Sequence, residues 1–215
     1  MIIAVDGPAA SGKGTLARKL SKHFDLAYLD TGSLYRAVAL SVLSAGADPA
    51  DNDAALQAAQ ALDLSTIDET AIRTAEVSDA ASIVAAMEPV RAAIRDLQRE
   101  FARSPPDHKK GAVLDGRDIG TVICPDADVK LFVEASLEER ARRRFLELTG
   151  RQGDRASALT QTDVLADLRA RDARDRNRTA SPLKPAPDAH LLDTTKLSIE
   201  AAFEAARDII DLAAP

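Results

Sequence analysis

The run GPAASGKGT at residues 7–15 constrains this chain more than any other stretch. It follows an apolar run, IIAV at 2–5, and precedes a helical pattern over 16–24. A glycine-rich loop between a strand and a helix is a phosphate cradle. Its backbone N–H groups converge on an anion, and the helix N-terminus adds partial positive charge. Gly7 and Gly12 permit backbone angles that side chains resist, and Lys13 can reach the outer phosphates of a nucleoside triphosphate. With strand, loop, lysine and helix all in place, an ordinary glycine turn is the weaker explanation. The spacing G-x4-G-K is that of a P-loop, with one departure. Gly14 follows the lysine and the hydroxyl of Thr15 comes one residue late, so the usual Mg2+ ligand of such loops does not transfer directly.

Five apolar runs, at 2–5, 26–29, 112–114, 129–133 and 190–192, each lead into a carboxylate: Asp6, Asp30, Asp115, Glu134 and Asp193. Runs apolar on both faces suit buried strands of a parallel sheet. The helical patterns between them supply the crossovers of βαβ units. The expected fold is α/β, a five-stranded parallel sheet flanked by helices. Ligands of such sheets collect at the carboxyl ends of the strands, where these acids stand.

A length of 215 residues suits one domain with small inserts, and 46% hydrophobic residues allow a sizeable core. Aromatics are only 3% and Trp is absent, so the core must rest on aliphatic side chains. No apolar run approaches the ~20 residues that span a bilayer, and a first strand so near Met1 leaves no room for a signal peptide. The single cysteine, Cys124, excludes an internal disulfide, fits a reducing cytoplasm and reads as a packing residue. The net charge of −6 and the few aromatics argue against a nucleic-acid binder. Yet 11 of the 20 arginines fall between Arg140 and Arg178, against 6 acidic residues there. A local excess of that kind suggests a site for a small polyanion.

LDTGSLYR at 29–36 offers Asp30, Thr31 and Ser33 to turn the chain and cap a helix reaching about Ser44. Arg36, in the first turn of that helix, opposes its dipole and calls for an anionic partner. Residues 45–64 are polar and Ala-rich, with Asp48, Asp51 and Asp53 as turn and cap signals. Residues 65–86, which include Arg73, read as an insert beside the sheet. The stripe Val90, Ile94, Leu97 and Phe101 predicts a helix with Arg95 and Arg99 on its solvated face, ended by the prolines after Ser104. LDGRDIGT at 114–121 crowds two aspartates, an arginine and two glycines onto a strand end, which favours a site over a surface ion pair. From there Asp115 could hold Mg2+ through water. SLEE at 136–139 reads as a capping box for a helix bearing Arg140, Arg142, Arg143 and Arg144. Residues 149–153 break that helix and a second covers 160–176, where Arg171, Asp175 and Arg178 share one face at i, i+4 and i+7. Two arginine-bearing helices around a break predict a mobile lid. Residues 179–187 link to the last strand, and 198–213 form a closing amphipathic helix.

The motifs hold no Ser-His-Asp or Cys-His arrangement, and no Cys/His cluster suggests zinc. Chemistry on a triphosphate is then phosphoryl transfer, driven by positioning and charge neutralisation. A hydroxyl acceptor usually calls for a base. A phosphate acceptor is already anionic and needs arginines instead. Many arginines and no obvious base favour a nucleoside monophosphate kinase, with a lid that excludes water. The alternatives are another small P-loop kinase, of adenylate, UMP/CMP or shikimate type, and a non-catalytic nucleotide switch.

Five segments, in order, resemble the bacterial cytidylate kinases among the P-loop nucleoside monophosphate kinases, over nearly the whole chain. They are GPAASGKGT (7–15), LDTGSLYR (29–36), DAAS with PVR (79–82 and 89–91), LDGRDIGTVICPDADVKLFVEAS (114–136), and RDARDRNR with SPL (171–178 and 181–183). The resemblance implies ATP plus CMP or dCMP giving ADP plus CDP or dCDP, with Mg2+, in pyrimidine nucleotide metabolism. It implies that Gly7, Pro8, Ala9, Ala10, Ser11, Gly12, Lys13, Gly14 and Thr15 bind ATP. Mg2+ is then held mainly by ATP phosphates and water, with Thr15 and Asp115 as candidate protein ligands. Lys13, Arg117 and Arg178 are the implied catalytic residues. The implied CMP site is Thr31, Tyr35, Arg36, Ser82, Arg91, Arg117, Asp118, Arg171, Asp175 and Arg178. Within it Arg36 and Arg117 hold the phosphate, while Ser82, Arg91 and Asp118 read the cytosine edge. Asp118 can accept from the cytosine amino group, which disfavours uracil. The implied units are a core at 1–32, 87–140 and 179–215, an NMP-binding insert at about 33–86 and a lid at about 141–178. The insert is shorter around 65–72 than in many relatives, which carry a strand-rich piece there. The implied molecule is a cytoplasmic monomer with no membrane or nucleic-acid partner.

Overall fold

A computed structural model of the chain describes residues 1–152, 159–179 and 181–213, the side chains of 151 and 152 excepted. Five strands form one all-parallel sheet: β1 (Ile2–Asp6), β2 (Ala27–Asp30), β3 (Ala112–Gly116), β4 (Val129–Glu134) and β5 (His190–Asp193). Their order is β2-β3-β1-β4-β5. The central β1 pairs Ile3 with Val113 on one side and with Val129 on the other. Every residue of β3 and the first five of β4 are buried, as strands covered on both faces require.

Helices α1 (Lys13–His23) and α8 (Ile199–Ala213) cover one face, over Ile3, Val5, Val113 and Leu131. The other face carries α2 (Thr31–Ser44), α3 (Asn52–Gln60), α4 (Ala75–Val84) and α5 (Glu88–Arg103). There Leu34, Val38, Ile72, Ile94, Leu114 and Ile119 form the larger core. Each such aliphatic side chain stabilises by about 1.5–3 kcal/mol on burial, so a core without Trp suffices. Helices α6 (Leu137–Gln152) and α7 (Gln161–Asn177) pack on each other and enclose a third, small core of Ala9, Ala141, Val164 and Leu168. Among the described residues, no helix is long and apolar enough to cross a membrane.

Most local signals act as expected. The Asp51 carboxylate accepts from the N–H groups of Asp53 and Ala54 and caps α3. Thr160 and Asp163 form a full capping box at α7. Cys124 is buried in the larger core, and burial pushes its thiol up.

Four expectations need correction. Helix α6 runs on through Thr149 and Gly150 to Gln152 instead of breaking at 149–153, of which Gly153 lies outside the described residues. A glycine costs a helix interior about 1 kcal/mol, which the packing of Phe145 and Leu148 into the small core offsets. The capping box at α6 is only half made. Ser136 Oγ accepts from the Glu139 N–H at 3.3 Å, but the Ser136 N–H goes to Thr195 Oγ1 and Glu139 pairs with Arg142 and Arg143. Asp30 occupies the N-cap of α2 without capping it by its side chain, and Arg36 lies in the second turn, not the first. In α5 the buried line is Val90, Arg91, Ile94, Gln98 and Ala102. Arg99 is not a solvated side chain there: it donates to the carbonyls of Val122 (2.9 Å) and Ile123 (3.2 Å). Residues 64–73 hold two short 3-10 turns, Leu64–Thr66 and Ala71–Arg73, and no strand.

Candidate active site

A cleft of about 770 Å³ opens at the carboxyl ends of β2 and β3 and beside the loop after β1. The order of the sheet places it there, because β1 stands where the chain crosses from one half of the sheet to the other. Gly7 adopts φ +152° and presses against β4, where an added Cβ would lie 2.0 Å from the Val133 carbonyl oxygen. Gly12, at φ +89°, is the N-cap of α1, and neither a capping side chain nor an acidic residue competes for the first N–H groups. Ala10 holds the left-handed region at φ +60° without being glycine, a strain common at binding loops. The loop's carbonyls are gripped from outside. Arg140 donates to Ala9 O at 3.2 Å, while Arg143 and Thr194 donate to Ser11 O at 3.3 and 2.9 Å. In a trans peptide the next N–H points the opposite way. These contacts therefore fix the direction of the Ala10 and Gly12 N–H groups, and both residues line the cleft.

Lys13 Nζ lies 3.1 Å from Asp115 Oδ1. Burial lowers the lysine, helped by Arg117 and opposed by Asp115. Burial likewise raises the Asp115 carboxyl, with Lys13 opposing. An added Cβ at Gly14 would stand 2.9 Å from Asp115 Oδ2, which accounts for a glycine where related loops carry a hydroxyl. The Thr15 side chain is exposed and lines the cleft, as does Asp115. Asp115 Oδ1 has the Lys13 ion pair but no hydrogen bond. Among the described residues no group of three His, Cys, Asp or Glu side chains could hold a metal. A hard cation that keeps water and phosphate ligands fits this donor set, with Asp115 and Thr15 as the protein oxygens.

The candidates outside the loop face the same cleft, whereas Gly7, Pro8 and Ala9 of the loop do not line it. Arg36 pairs with Asp30 at 2.8 Å, the anionic partner its place near a helix start demanded. Burial raises Asp30, but Arg36, Lys13 and Arg73 outweigh it and hold the carboxyl below its ordinary value. Arg117 Nε donates to Asp175 Oδ2 at 3.0 Å. Arg91 is 3% exposed, pairs with Asp118 Oδ2, and lies over the Tyr35 ring at 5.6 Å. Arg178 stands 3.9 Å from both Asp118 Oδ1 and Asp175 Oδ1. Burial pushes Arg171 down to about 10, with Arg117 adding to the effect. Burial and Arg91 also lower Arg178. Thr31 is buried and donates to Asp115 O at 2.8 Å, so its hydroxyl has only acceptor capacity left. Ser82 donates to Asp79 O at 2.8 Å. Buried polar atoms without a hydrogen-bond partner concentrate in this cleft: Ser11 Oγ, Arg36 Nε, Arg91 Nε, Arg171 Nε and Arg178 Nη2. Such atoms are rare in folded proteins and call for a partner from outside the chain, water or ligand.

The strand-end rule over-collects. Glu134 is exposed and Asp193 caps the Thr195 N–H, so neither belongs to the cleft. Asp6 is buried beneath it and accepts from the N–H groups of Ile119 and Gly120, each at 2.8 Å. Burial raises that carboxyl to about 7 against both hydrogen bonds. The arginine field of α6 is also less free than its count suggests, because Arg140, Arg142, Arg143 and Arg144 all hold carboxylates. Sequence reasoning missed Arg73, Thr194, Leu197 and Ile199 as cleft-lining residues. The last three follow β5, where the strand-end rule, applied past the acid itself, would have found them.

The family model described as cytidylate kinase matches residues 3–212. The chain is 58% identical over 213 residues to a protein of Methylocella silvestris named cytidylate kinase, covering 99% of this chain and 95% of that one. A Rhodospirillum rubrum protein of the same name is 55% identical over 210 residues, covering 98% and 97%. Among solved structures, an uncharacterized protein of Eubacterium ventriosum shares the fold at a TM-score of 0.57 and 14% identity, over 98% of each chain. A sugar kinase of Janibacter sp. does so at a TM-score of 0.51 and 14% identity, over 99% of this chain and 95% of that one.

Proposed function

The chain belongs to the cytidylate kinase family, and on that premise we propose how its cleft passes the γ-phosphoryl group of ATP to CMP. One observation carries the reading. Lys13 and the loop residues Ala9 and Ala10 share a lobe of about 150 Å³ with Arg36, Arg117 and Arg171. A triphosphate cradle and an acceptor-phosphate site therefore meet in one small space, which in-line transfer requires.

ATP places its phosphates on residues 7–15, among the first N–H groups of α1 and Lys13. Its base lies on the apolar wall of Leu197, Ile199 and Ala202. CMP, or dCMP, places its phosphate on Arg36 and Arg117. Arg171, Asp175 and Arg178 engage its ribose and phosphate, with Tyr35 and Thr31 shaping the pocket. Ser82, Arg91 and Asp118 read cytosine. Asp118 Oδ2 is committed to Arg91, and Oδ1, with only Arg178 at 3.9 Å, accepts from the cytosine amino group. The CMP phosphate is anionic already, so no base has to act. Lys13, Arg117 and Arg178 offset the charge that spreads over the transferring group. Mg2+, held by Asp115 and Thr15 besides phosphate and water, supplies further charge neutralisation when bound.

Residues 33–86 serve as the acceptor insert and 141–178 as the lid over a core of 1–32, 87–140 and 179–215. One chain supplies both halves of the cleft, which supports a monomer as the working unit. A lone buried cysteine supports a cytoplasmic setting in pyrimidine nucleotide metabolism. The test is ADP release with CMP, dCMP, UMP, AMP, GMP or shikimate as acceptor. Strong stimulation is expected from the first two alone. Stimulation by AMP or shikimate in their place, or by no acceptor, overturns the reading.

A further inference from the structure

Arg140 lies in the first turn of α6 and is 4% exposed, and it does not line the cleft. Its guanidinium is engaged on every side. Nε donates to Ala135 O at 3.0 Å, and Nη1 to Ala9 O at 3.2 Å. Nη1 and Nη2 grip the two oxygens of Asp172 at 3.1 and 2.6 Å. Ala9 belongs to the phosphate loop, directly before the strained Ala10. Asp172 belongs to α7, beside Arg171 and within two turns of Arg178. The fork thus joins the cradle for one nucleotide to the helix that carries arginines for the other. Around it Ala9, Ala141, Val164 and Leu168 form a buried apolar skirt.

Cohesion alone does not require an ion pair there, because well-packed apolar residues in place of a buried pair are often as stable or more so. What a bidentate fork adds is geometry, since two parallel hydrogen bonds fix rotation as well as distance. We propose that Arg140 and Asp172 are a positioning pair for phosphoryl transfer. They set the phosphate loop and the arginines of α7 at the separation and angle from which transfer proceeds. This rests on the cleft being the phosphoryl-transfer site proposed above.

The decisive variant is the apolar double, Arg140→Met with Asp172→Leu, which keeps bulk and removes the fork. Its melting temperature is expected within about 8 °C of wild type, since the swap leaves no unpaired charge but takes one donor each from the Ala135 and Ala9 carbonyls. CMP alone should bind with a Kd within about 3-fold of wild type by calorimetry, because its own contacts remain, and ATP within about 10-fold, the Ala9 carbonyl having lost the donor that orients the Ala10 N–H. At saturating ATP and CMP, kcat should fall by roughly 30-fold or more, as a misplacement near 1 Å can cost 100-fold. A double variant that folds and keeps kcat within about 3-fold overturns the proposal, as does a loss confined to the KM of one nucleotide. Arg140→Lys keeps the charge and loses the fork, and serves if the double variant does not fold. A kcat loss of about 10-fold with unchanged Kd values is expected of it, and wild-type kcat overturns the proposal. Wild-type protein that releases no ADP with CMP would sink the reading of the cleft instead, a result visible before any variant is made.

Discussion

Asp118→Asn separates the two duties that Asp118 performs. In the wild type one carboxylate oxygen meets Arg91 and the other is left for a ligand. The amide keeps the shape and one oxygen acceptor but loses the charge. Arg91 is 3% exposed and retains the Ala85 carbonyl at 3.2 Å. Complete loss of a buried partner costs about 3–5 kcal/mol. An isosteric amide that still accepts one hydrogen bond should cost about 2–3 kcal/mol, a fall in Tm of about 4–12 °C for a chain of this size. The kinetic effect is larger and selective. With its oxygen turned to Arg91, the amide presents N–H groups where the cytosine amino group needs an acceptor and where uracil offers a carbonyl. Removing one charge-assisted hydrogen bond, worth about 1.5–3 kcal/mol, lowers kcat/KM for CMP by roughly 10- to 150-fold. That for UMP should rise, and the KM of ATP should stay within about 2-fold. Initial rates of ADP release with each acceptor at saturating ATP, beside a thermal melt, measure all of this. An unchanged CMP-to-UMP ratio, or a KM for ATP that rises as much as that for CMP, would refute the role of Asp118.

Lys13→Met should lower kcat by about 100- to 1,000-fold in single-turnover measurements, the usual effect of losing one donor to developing charge. Its Tm should fall by less than full loss of a buried partner implies, because burial already favours the neutral Asp115 carboxyl; a large fall in Tm with kcat intact reverses the assignment. Arg178→Met should lower kcat/KM for CMP by about 10-fold or more while the fold survives, since the loss is one hydrogen bond, from Nε to Ser181 O, worth about 1 kcal/mol; unchanged kinetics removes Arg178 from the site. Asp6→Asn tests the buried carboxyl whose folded-state value is about 7 against an ordinary 3.8. A raised value favours the protonated form, so its contribution to stability is full below pH 4 and lost as pH rises to 7. Relative to the variant, the wild type should lose about 4 kcal/mol between pH 4 and 7 and nothing further above, read from urea melts across that range. A difference that stays flat with pH contradicts it.

Four strands were legible because their positions are apolar on both faces and each run leads into an acid, a pattern that burial in a parallel sheet imposes, whereas β5 at the sheet edge buries only Leu192. The phosphate loop was legible because its spacing is local: Gly7, Gly12 and Lys13 need no distant partner to be recognised. The need of Arg36 for an anion was legible, since a cation near a helix start opposes the dipole, but not that Asp30, six residues back, supplies it. The partner of Arg140 lies 32 residues away and that of Arg117 lies 58 away, and nothing in a one-dimensional pattern links them. Arg99 deceived for the same reason, its two carbonyl acceptors lying 24 and 23 residues on. Helix α6 passes Gly150 because packing onto α7 outweighs a local preference of about 1 kcal/mol. Charge counting also misled in α6, where composition reports how many cations there are and not which are already taken.

Four cations of the cleft come with chaperones: Asp115 at Lys13, Asp30 at Arg36, Asp175 at Arg117 and Asp118 at Arg91. At rest these four couples are close to electrically quiet, while Arg171 and Arg178 keep buried nitrogens without a hydrogen bond. Chloride or a lone orthophosphate, facing such couples one at a time, gains little by displacing a carboxylate. On the proposed reading a nucleotide pair exchanges partners with several couples together, and selectivity over the abundant small anions of a cell would arise from the number of simultaneous exchanges. Capture should accordingly vary less with ionic strength than ten or so bare cations would make it.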